Sequence, residues 1–292
     1  MLGNNEKVNT SISLAYHTIT WRDDIVAALR DISHAGFQGF ETFSFPPKPD
    51  DTWYGYVDRL AQACAEQPET YLETENYRTP MDLAGLAAKQ GLRLSSMYCS
   101  GRFIDPDLVE HEIRASLSAA RFVKNAGCRH LILGGGLNTG GVYTPNDYDR
   151  FFHALHEIGS QCREIGIIAC YHPHSGTMVE TGEQVDLFCR ETDPALIALT
   201  PDVAHLTRGG ADPVETIYRY ADRIKYIHLK DIRDGEFVEL GEGTIDLQGV
   251  MKAIDEIGYS GWLVVELDDT TRTPLESAQI SRRFLEDHLS EK

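Results

Sequence analysis

In four stretches of the chain, an apolar run is followed by residues that can bind metals or transfer protons. They are YHPHSGTMVET (171–181) with His172, His174 and Glu180, LTPDVAH (199–205) with Asp202 and His205, IHLKD (227–231) with His228 and Asp231, and WLVVEL (262–267) with Glu266. Carboxylate oxygens and imidazole nitrogens together form a mixed site for a divalent ion, and a neutral histidine can accept a proton near pH 7. So many polar groups at strand ends would be costly to bury without an ion or a hydrogen-bond network. The residues therefore predict a divalent metal site.

The ligand types also limit which metal ion is expected. A carboxylate-rich set favours Mn²⁺, with Co²⁺, Mg²⁺, Zn²⁺ and Fe²⁺ as alternatives. The six cysteines form no CxxC pair, so a thiolate zinc site is not expected. Taken singly, a strand-end Glu266 or histidine can equally be an ion-pair partner, and the prediction depends on their combination.

The elements that must position these residues form a regular pattern. Short apolar runs alternate with amphipathic stretches, and the runs are SISLAY (11–16), GFETF (39–43), LRLSSMY (92–98), HLILGG (130–135), IGIIACY (165–171), LIALTPD (196–202), IKYIHLKD (224–231) and GWLVVEL (261–267). Eight strands alternating with helices predict an α/β fold, a (β/α)8 barrel, whose active site lies at the carboxyl ends of the strands.

Helix boundaries are marked by capping residues. Thr144 precedes Pro145, which suits the first helical position, and apolar residues recur at helical spacing from Phe151 to Ile165. Thr20 is predicted to cap the first helix, which Gly36 ends.

The chain of 292 residues is long enough for one barrel, and no linker divides it, so we predict a single domain over residues 1–292. An excursion at about 44–80, rich in prolines, acids and tyrosines, is much longer than an ordinary loop of roughly 2–6 residues. It is interpreted as a lid or a subunit contact, and a passive surface excursion stays equally open. The helical outer faces are compatible with an oligomer of no predicted order.

The composition favours a small-molecule enzyme. The net charge of −18 would repel nucleic acids and anionic membranes, so neither is expected as a partner. The scattered cysteines lie mostly in apolar segments, and neither a signal peptide nor an apolar run of about 20 residues is evident. A cytoplasmic location is expected.

Five motifs, in order, carry a family resemblance: YHPHSGTMVET (171–181), LTPDVAHLTRGGADPVE (199–215), RIKYIHLKDIR (223–233), ELGEGTIDL (239–247) and GYSGWLVVEL (258–267). The chain resembles the xylose isomerase-like barrels, the superfamily of sugar phosphate isomerases and epimerases, and within it the inosose (2-keto-myo-inositol) dehydratases. The first half matches only as generic βα units, with GFQGFE (36–41) in the second.

The resemblance implies that Asp202, His228 and Glu266 bind the metal, with His205 beside them as a possible further ligand. Many relatives supply a fourth ligand as a glutamate at the end of strand five, where this chain has His172. Glu180 is then expected to return from the following loop to complete the metal set, which leaves His172 or His174 for proton transfer.

The implied activity is that of a metal-dependent lyase. It removes the proton α to the carbonyl of a keto-polyol or keto-sugar and then eliminates water, as in inosose dehydration. His172 or His174 is the expected base, and Lys230 or a metal-bound water assists the leaving group. The substrate class is a small carbohydrate or cyclitol.

Three alternatives stay open. They are a sugar isomerase or epimerase, a lyase of 3-keto-glycosides similar to C-glycoside deglycosidases, and a non-catalytic binding subunit. The superfamily also contains abasic-site endonucleases, which the acidic composition disfavours.

Overall fold

The computed structural model describes residues 12–45, 59, 62, 76–136 and 142–289. The strands in this part of the chain are β1 (Ser13–His17), β2 (Gly39–Phe43), β3 (Arg93–Gly101), β4 (His130–Gly135), β5 (Ile168–Tyr171), β6 (Ile197–Leu199), β7 (Ile227–Leu229), β8 (Asp231–Arg233), β9 (Glu236–Val238) and β10 (Trp262–Val265). The helices are α1 (Ile25–His34), α2 (Pro80–Lys89), α3 (Val109–Asn125), α4 (Pro145–Glu164), α5 (Gly182–Glu191), α6 (Val203–Arg208), α7 (Pro213–Arg219), α8 (Leu247–Glu256) and α9 (Pro274–Leu289), with short 3₁₀ helices at Thr18–Trp21 and Ala221–Arg223.

Eight parallel strands form a closed barrel. Their order is β6-β5-β4-β3-β2-β1-β10-β7, and the two outer strands of this list meet through isolated parallel bridges, Leu199 with Ile224 and Asp202 with His228. The backbone N–H of His228 donates to the Pro201 carbonyl at 3.0 Å. The predicted (β/α)8 barrel is confirmed, and its closure brings strands six and seven together where two of the candidate site residues lie.

The helices pack their apolar faces against this barrel. In α4 the predicted stripe is buried, with Phe151, Leu155, Ile158 and Cys162 all fully enclosed. Burying one such large apolar side chain stabilises the fold by roughly 1.5–3 kcal/mol. Thr144 begins α4 as predicted, because its hydroxyl accepts from the backbone N–H at the third helical position.

Two local predictions are wrong. Thr20 does not cap α1. It lies in the 3₁₀ helix, where its hydroxyl donates to the Leu267 carbonyl at 2.6 Å, and Asp24 caps α1 instead. The chain turns over the end of β10 before α1 begins, and this tertiary contact takes the threonine hydroxyl.

The predicted strand at 224–231 is also divided. β7 ends at Leu229, and Asp231 begins an antiparallel hairpin, β8 with β9. The Asp231 carboxylate accepts from the backbone N–H groups of Gly241, Gly243 and Ile245, at 3.1, 2.9 and 3.2 Å. A Cβ on Gly243 would lie 2.1 Å from Asp231 Oδ1, so this approach requires glycine. Asp231 thus organises a loop and is not part of the candidate site.

Most of the predicted excursion at about 44–80 lies outside the described residues. Among the described helices, none has both the length and the apolar character needed to cross a membrane. The cysteines in the described part of the chain are free thiols.

Candidate metal centre and adjoining cavity

Four buried side chains meet at the carboxyl end of the barrel. His172, Asp202, His228 and Glu266 each offer one ligand atom within 4.8 Å of the others. His172 directly follows β5 and Glu266 directly follows β10, while Asp202 and His228 face each other across the β6–β7 closure. The strand ends of the barrel therefore gather two imidazoles and two carboxylates at one point.

Asp202 owes its position to a helix cap. Its Oδ1 accepts from the backbone N–H groups of Ala204 and His205, at 2.8 and 2.9 Å, and so begins α6. Because a capping aspartate bonds to backbone N–H groups two or three residues ahead, these two bonds fix the Asp202 side chain at the start of α6. Oδ2 of Asp202 is left pointing at His172 Nε2, 3.5 Å away.

His228 lies between two acids. Its Nε2 donates to Glu41 Oε2 at 2.8 Å, and its Nδ1 lies 2.8 Å from Glu266 Oε2. Burial alone would lower the pKa of His228, but Glu41 and Glu266 outweigh it and raise that pKa to about 10. Burial likewise disfavours ionised Asp202 and Glu266, yet Lys230 foremost holds both carboxyl pKa values well below their usual range.

The donor set fits a divalent metal ion. Both ring nitrogens of His172 and Oδ2 of Asp202 are buried and have no hydrogen-bond partner among the described residues. Buried polar atoms without partners are rare in native proteins and call for a specific explanation. An ion held by His172, Asp202, His228 and Glu266 would satisfy Asp202 Oδ2 and one of the two ring nitrogens of His172.

Glu180 lies away from this cluster. Its carboxylate accepts from the backbone N–H of Gly176 at 3.0 Å, and its own N–H donates to Gln184 Oε1 at 2.9 Å. These bonds keep Glu180 in the turn that leads into α5. The structure therefore does not bring Glu180 to the predicted metal set, and His172 occupies the fourth position.

Lys230 is completely buried beside the cluster. Its Nζ donates to Asp268 Oδ2 at 2.9 Å and to Glu266 Oε1 at 3.1 Å, and it lies 3.8 Å from Asp202 Oδ2. Burial favours the neutral amine, but Asp268 and Glu266 prevail and raise the pKa of Lys230 above its usual value. Lys230 is thus an ammonium at neutral pH, and its charge balances the surrounding carboxylates.

His174 and His205 form a close, tilted ring pair next to the cluster. Their ring centroids are 3.7 Å apart, and His174 Nδ1 contacts the Ser175 carbonyl at 2.7 Å. A carbonyl can only accept, so Nδ1 carries the hydrogen and Nε2 holds the lone pair. Burial, with the neighbouring His172, lowers the pKa of His174 to about 4, and burial also lowers the pKa of His205. Both rings are neutral at pH 7.

A cavity of about 260 Å³ adjoins these groups. Glu266, Asp268, His174 and His205 form part of its polar lining. Ile19, Phe43, Tyr98 and Phe237 supply apolar surface, with Phe237 held by a cation–π contact 4.3 Å from Lys230 Nζ. Its volume is slightly below the roughly 300–1,000 Å³ of typical ligand pockets, and its mixed polar and apolar lining is that of a small-molecule site.

The family is shown by comparison with known sequences. The sequence model of the xylose isomerase-like TIM barrel matches residues 29–288. The chain belongs to the xylose isomerase-like TIM barrel family.

Known proteins differ in how similar their sequences are to this chain. The chain is 30% identical to an inosose dehydratase of Geobacillus kaustophilus over 264 residues, 77% of this chain and 86% of that protein. It is 34% identical to an inosose dehydratase of Lacticaseibacillus casei over 49% of this chain, and the match spans about half, 55%, of that protein. A solved L-ribulose 3-epimerase superimposes with a TM-score of 0.72 at 18% identity, over 96% of this chain and 95% of that one, which supports the fold alone.

Two acids near the centre were not predicted from the sequence. Glu41 ends the motif GFQGFE in β2 and contacts His228, and Asp268 follows Glu266 by two residues and contacts Lys230. A positional signal existed for Asp268, which lies three residues beyond the end of β10, whereas Glu41 lies in the middle of β2. His205 is near the cluster, as predicted, but it is not one of the four convergent residues.

Proposed function

We propose that the chain is a metal-dependent carbohydrate lyase that removes the proton α to the carbonyl of a keto-polyol and eliminates water. The observation that carries the proposal is the convergence of four buried ligand residues beside a small cavity lined by neutral histidines. The similarity to inosose dehydratases supports 2-keto-myo-inositol, or a related cyclitol ketone, as the substrate.

His172, Asp202, His228 and Glu266 are the proposed ligands of the metal. Two imidazole nitrogens with two carboxylate oxygens favour Mn²⁺, with Co²⁺, Fe²⁺ and Zn²⁺ as alternatives, and suit Mg²⁺ less well. A bound divalent cation would supply a Lewis acid for the carbonyl oxygen and lower the free energy of α-proton removal.

His174 is the proposed base. With His172 assigned to the metal set, His174 is the remaining histidine of the pair that the sequence singled out. Its Nδ1–H donates to the Ser175 carbonyl, so the lone pair resides on Nε2, which is the nitrogen proposed to accept the α-proton. Its neutral state at pH 7 follows from its burial and meets the first requirement of a general base.

Lys230 and Asp268 are proposed to assist departure of the β-hydroxyl. Lys230 is the ammonium, and Asp268, bonded to it at 2.9 Å, reaches the cavity. A proton from this pair joins the departing hydroxyl as water, while the α-proton stays on His174. The organic product has then lost one water. His174 afterwards releases its proton to solvent, and the Lys230–Asp268 pair regains a proton from solvent.

The test is incubation of Mn²⁺-loaded protein with 2-keto-myo-inositol in deuterated water. Product mass and the absorbance of a conjugated ketone are followed, with Glu266→Gln as the control. Metal-dependent loss of one water, absent in Glu266→Gln, is the expected result. Deuterium uptake without loss of water would reject the dehydratase and favour an isomerase or epimerase.

Cleavage of 3-keto-glycosides is a second candidate function because part of the cavity wall is apolar. Ile19, Phe43 and Phe237 offer an apolar surface that could seat the leaving group of a glycoside, and α-proton removal is the same first step. Release of a phenol from an aryl 3-keto-glucoside, measured by absorbance against the same Glu266→Gln control, tests it.

A further inference from the structure

Glu41 is a buried acid that touches the cluster without being part of it. It lies in β2, is fully enclosed, and accepts from His228 Nε2 at 2.8 Å through Oε2. Its other oxygen, Oε1, faces His17 Nε2 at 3.7 Å. The mechanism proposed above does not use this carboxylate, so its complete burial needs another explanation.

The hydrogen on His17 is placed by the backbone. The N–H of Ile19 donates to His17 Nδ1 at 3.0 Å, so Nδ1 accepts and the hydrogen of a neutral ring must reside on Nε2. Nε2 of His17 lies 3.7 Å from Glu41 Oε1, so the two groups are in electrostatic contact without a direct hydrogen bond. One carboxylate therefore lies between two imidazole N–H groups, one from β1 and one from β7.

The contact between Glu41 and His228 Nε2 determines the state of the other ring nitrogen, Nδ1. Because an ionised carboxylate only accepts, Glu41 keeps the hydrogen of His228 on Nε2. A metal ion binds a neutral imidazole, so metal binding releases the second ring proton of His228. With the remaining hydrogen kept on Nε2, the lone pair then resides on Nδ1, which is the atom 2.8 Å from Glu266 Oε2. Outer carboxylates of this kind orient ligating histidines, and their loss typically weakens metal binding by about 10–100-fold.

We propose that Glu41, seated by His17, is a positioning residue that holds His228 in the tautomer needed to bind a divalent metal. This inference rests on the proposed metal-dependent function. It extends the site to strands one and two, which contribute none of the four convergent residues.

Replacing Glu41 by glutamine tests the tautomer directly. A glutamine amide has one acceptor and one donor group, so one of the two facing imidazole N–H groups would meet an NH₂. The conflict is relieved if His228 moves its hydrogen to Nδ1, which blocks the lone pair that would bind the metal. A second change, His17→Phe, removes one of the two N–H groups and lets the amide oxygen accept from His228.

The experiment uses the full chain and Co²⁺ as the probe, with binding measured by calorimetry and by the visible spectrum of the bound ion. We expect Glu41→Gln to bind Co²⁺ about 10–100-fold more weakly than the unsubstituted protein, with an altered spectrum, and Glu41→Gln/His17→Phe to recover part of the affinity. Glu112→Gln is the matched control, because Glu112 is also buried and accepts from the backbone N–H groups of Arg102 and Phe103, at 2.7 Å each, away from the four convergent residues.

The outcomes separate the two proposals. If the unsubstituted protein does not bind Co²⁺, the metal-dependent function fails. If the unsubstituted protein binds Co²⁺ and Glu41→Gln binds it equally well, the positioning role of Glu41 is overturned. If Glu41→Gln/His17→Phe binds Co²⁺ no more tightly than Glu41→Gln, His17 has no part in that role. Urea unfolding of each variant shows that it is folded, and Glu41→Asp, which keeps the charge, replaces Glu41→Gln if the latter does not fold.

Discussion

His172 Nε2 lies 3.5 Å from Asp202 Oδ2, with both side chains buried at the closure of the barrel. The residue that ends strand five thus faces the acid that follows strand six. The fourth residue of the cluster is therefore this histidine and not the loop acid Glu180. The predictions below follow from that arrangement and from the buried groups around it.

Removing His172 should abolish tight metal binding, whereas removing the Glu180 carboxylate should not. His172→Ala deletes one of four convergent donors, so we expect an affinity loss larger than the roughly 10–100-fold that loss of an outer partner produces. Glu180→Gln keeps the size of a side chain that contacts Gly176. Metal content after dialysis and calorimetric titration measure both. Loss of metal in Glu180→Gln with retention in His172→Ala would reverse the assignment.

His174→Gln should reduce turnover without reducing metal binding. Loss of a general base typically lowers the rate by about 10²–10⁴-fold, and His174 is not one of the four convergent ligands. Steady-state kinetics with 2-keto-myo-inositol and metal titration are measured in parallel. His153→Gln, at an exposed position on α4, is the control. Unchanged turnover in His174→Gln would exclude this residue as the base.

Lys230→Met should strongly destabilise the metal-free protein. Lys230 is fully buried and contacts Asp268, Glu266 and Asp202. Removing one partner of a buried ion pair costs about 3–5 kcal/mol, because the opposite charges remain without compensation. Urea unfolding in the presence of a chelator measures the loss.

Lys252→Met is the matched control, because Lys252 is exposed and pairs with Glu256 at 3.7 Å on the surface of α8. It should change the unfolding free energy little. Equal effects of the two substitutions would contradict the structural role of the buried ammonium.

Protonation of His130 should contribute to acid destabilisation. Burial lowers the pKa of His130 to about 4 in the folded protein, against about 6.5 in an unfolded chain. Between these values the unfolded state binds the proton and the folded state does not, so stability falls as the pH falls from about 6.5 to 4. The full effect is on the order of 3 kcal/mol.

The measurement is urea unfolding at pH 7 and pH 4.5 for the unsubstituted protein and for His130→Gln. The variant should lose less stability across this interval. The same loss in both proteins would show that other groups govern acid unfolding. His130 begins β4, and its ring lies 5.4 Å from that of Tyr226, away from the metal cluster.

Much of the architecture follows from local pattern in the sequence. Alternating apolar runs and capped amphipathic helices determine the barrel, since each element must bury one face and parallel strands require helical crossovers. The rule that barrel strands end at the active site then selects Asp202, His228 and Glu266 as site residues. These inferences need only neighbouring residues, and for that reason the sequence is sufficient for them.

Only the tertiary structure decided which polar atoms meet. Glu180 lies eight residues from His172, yet turn and capping bonds hold it in the loop, while Glu41 reaches His228 across 187 residues of chain. Asp231 follows His228 closely but turns outward to organise the glycine loop. The direction of a side chain at a strand end depends on barrel closure and on competing backbone N–H groups. Both arise from contacts between elements distant in sequence, which residue spacing does not encode.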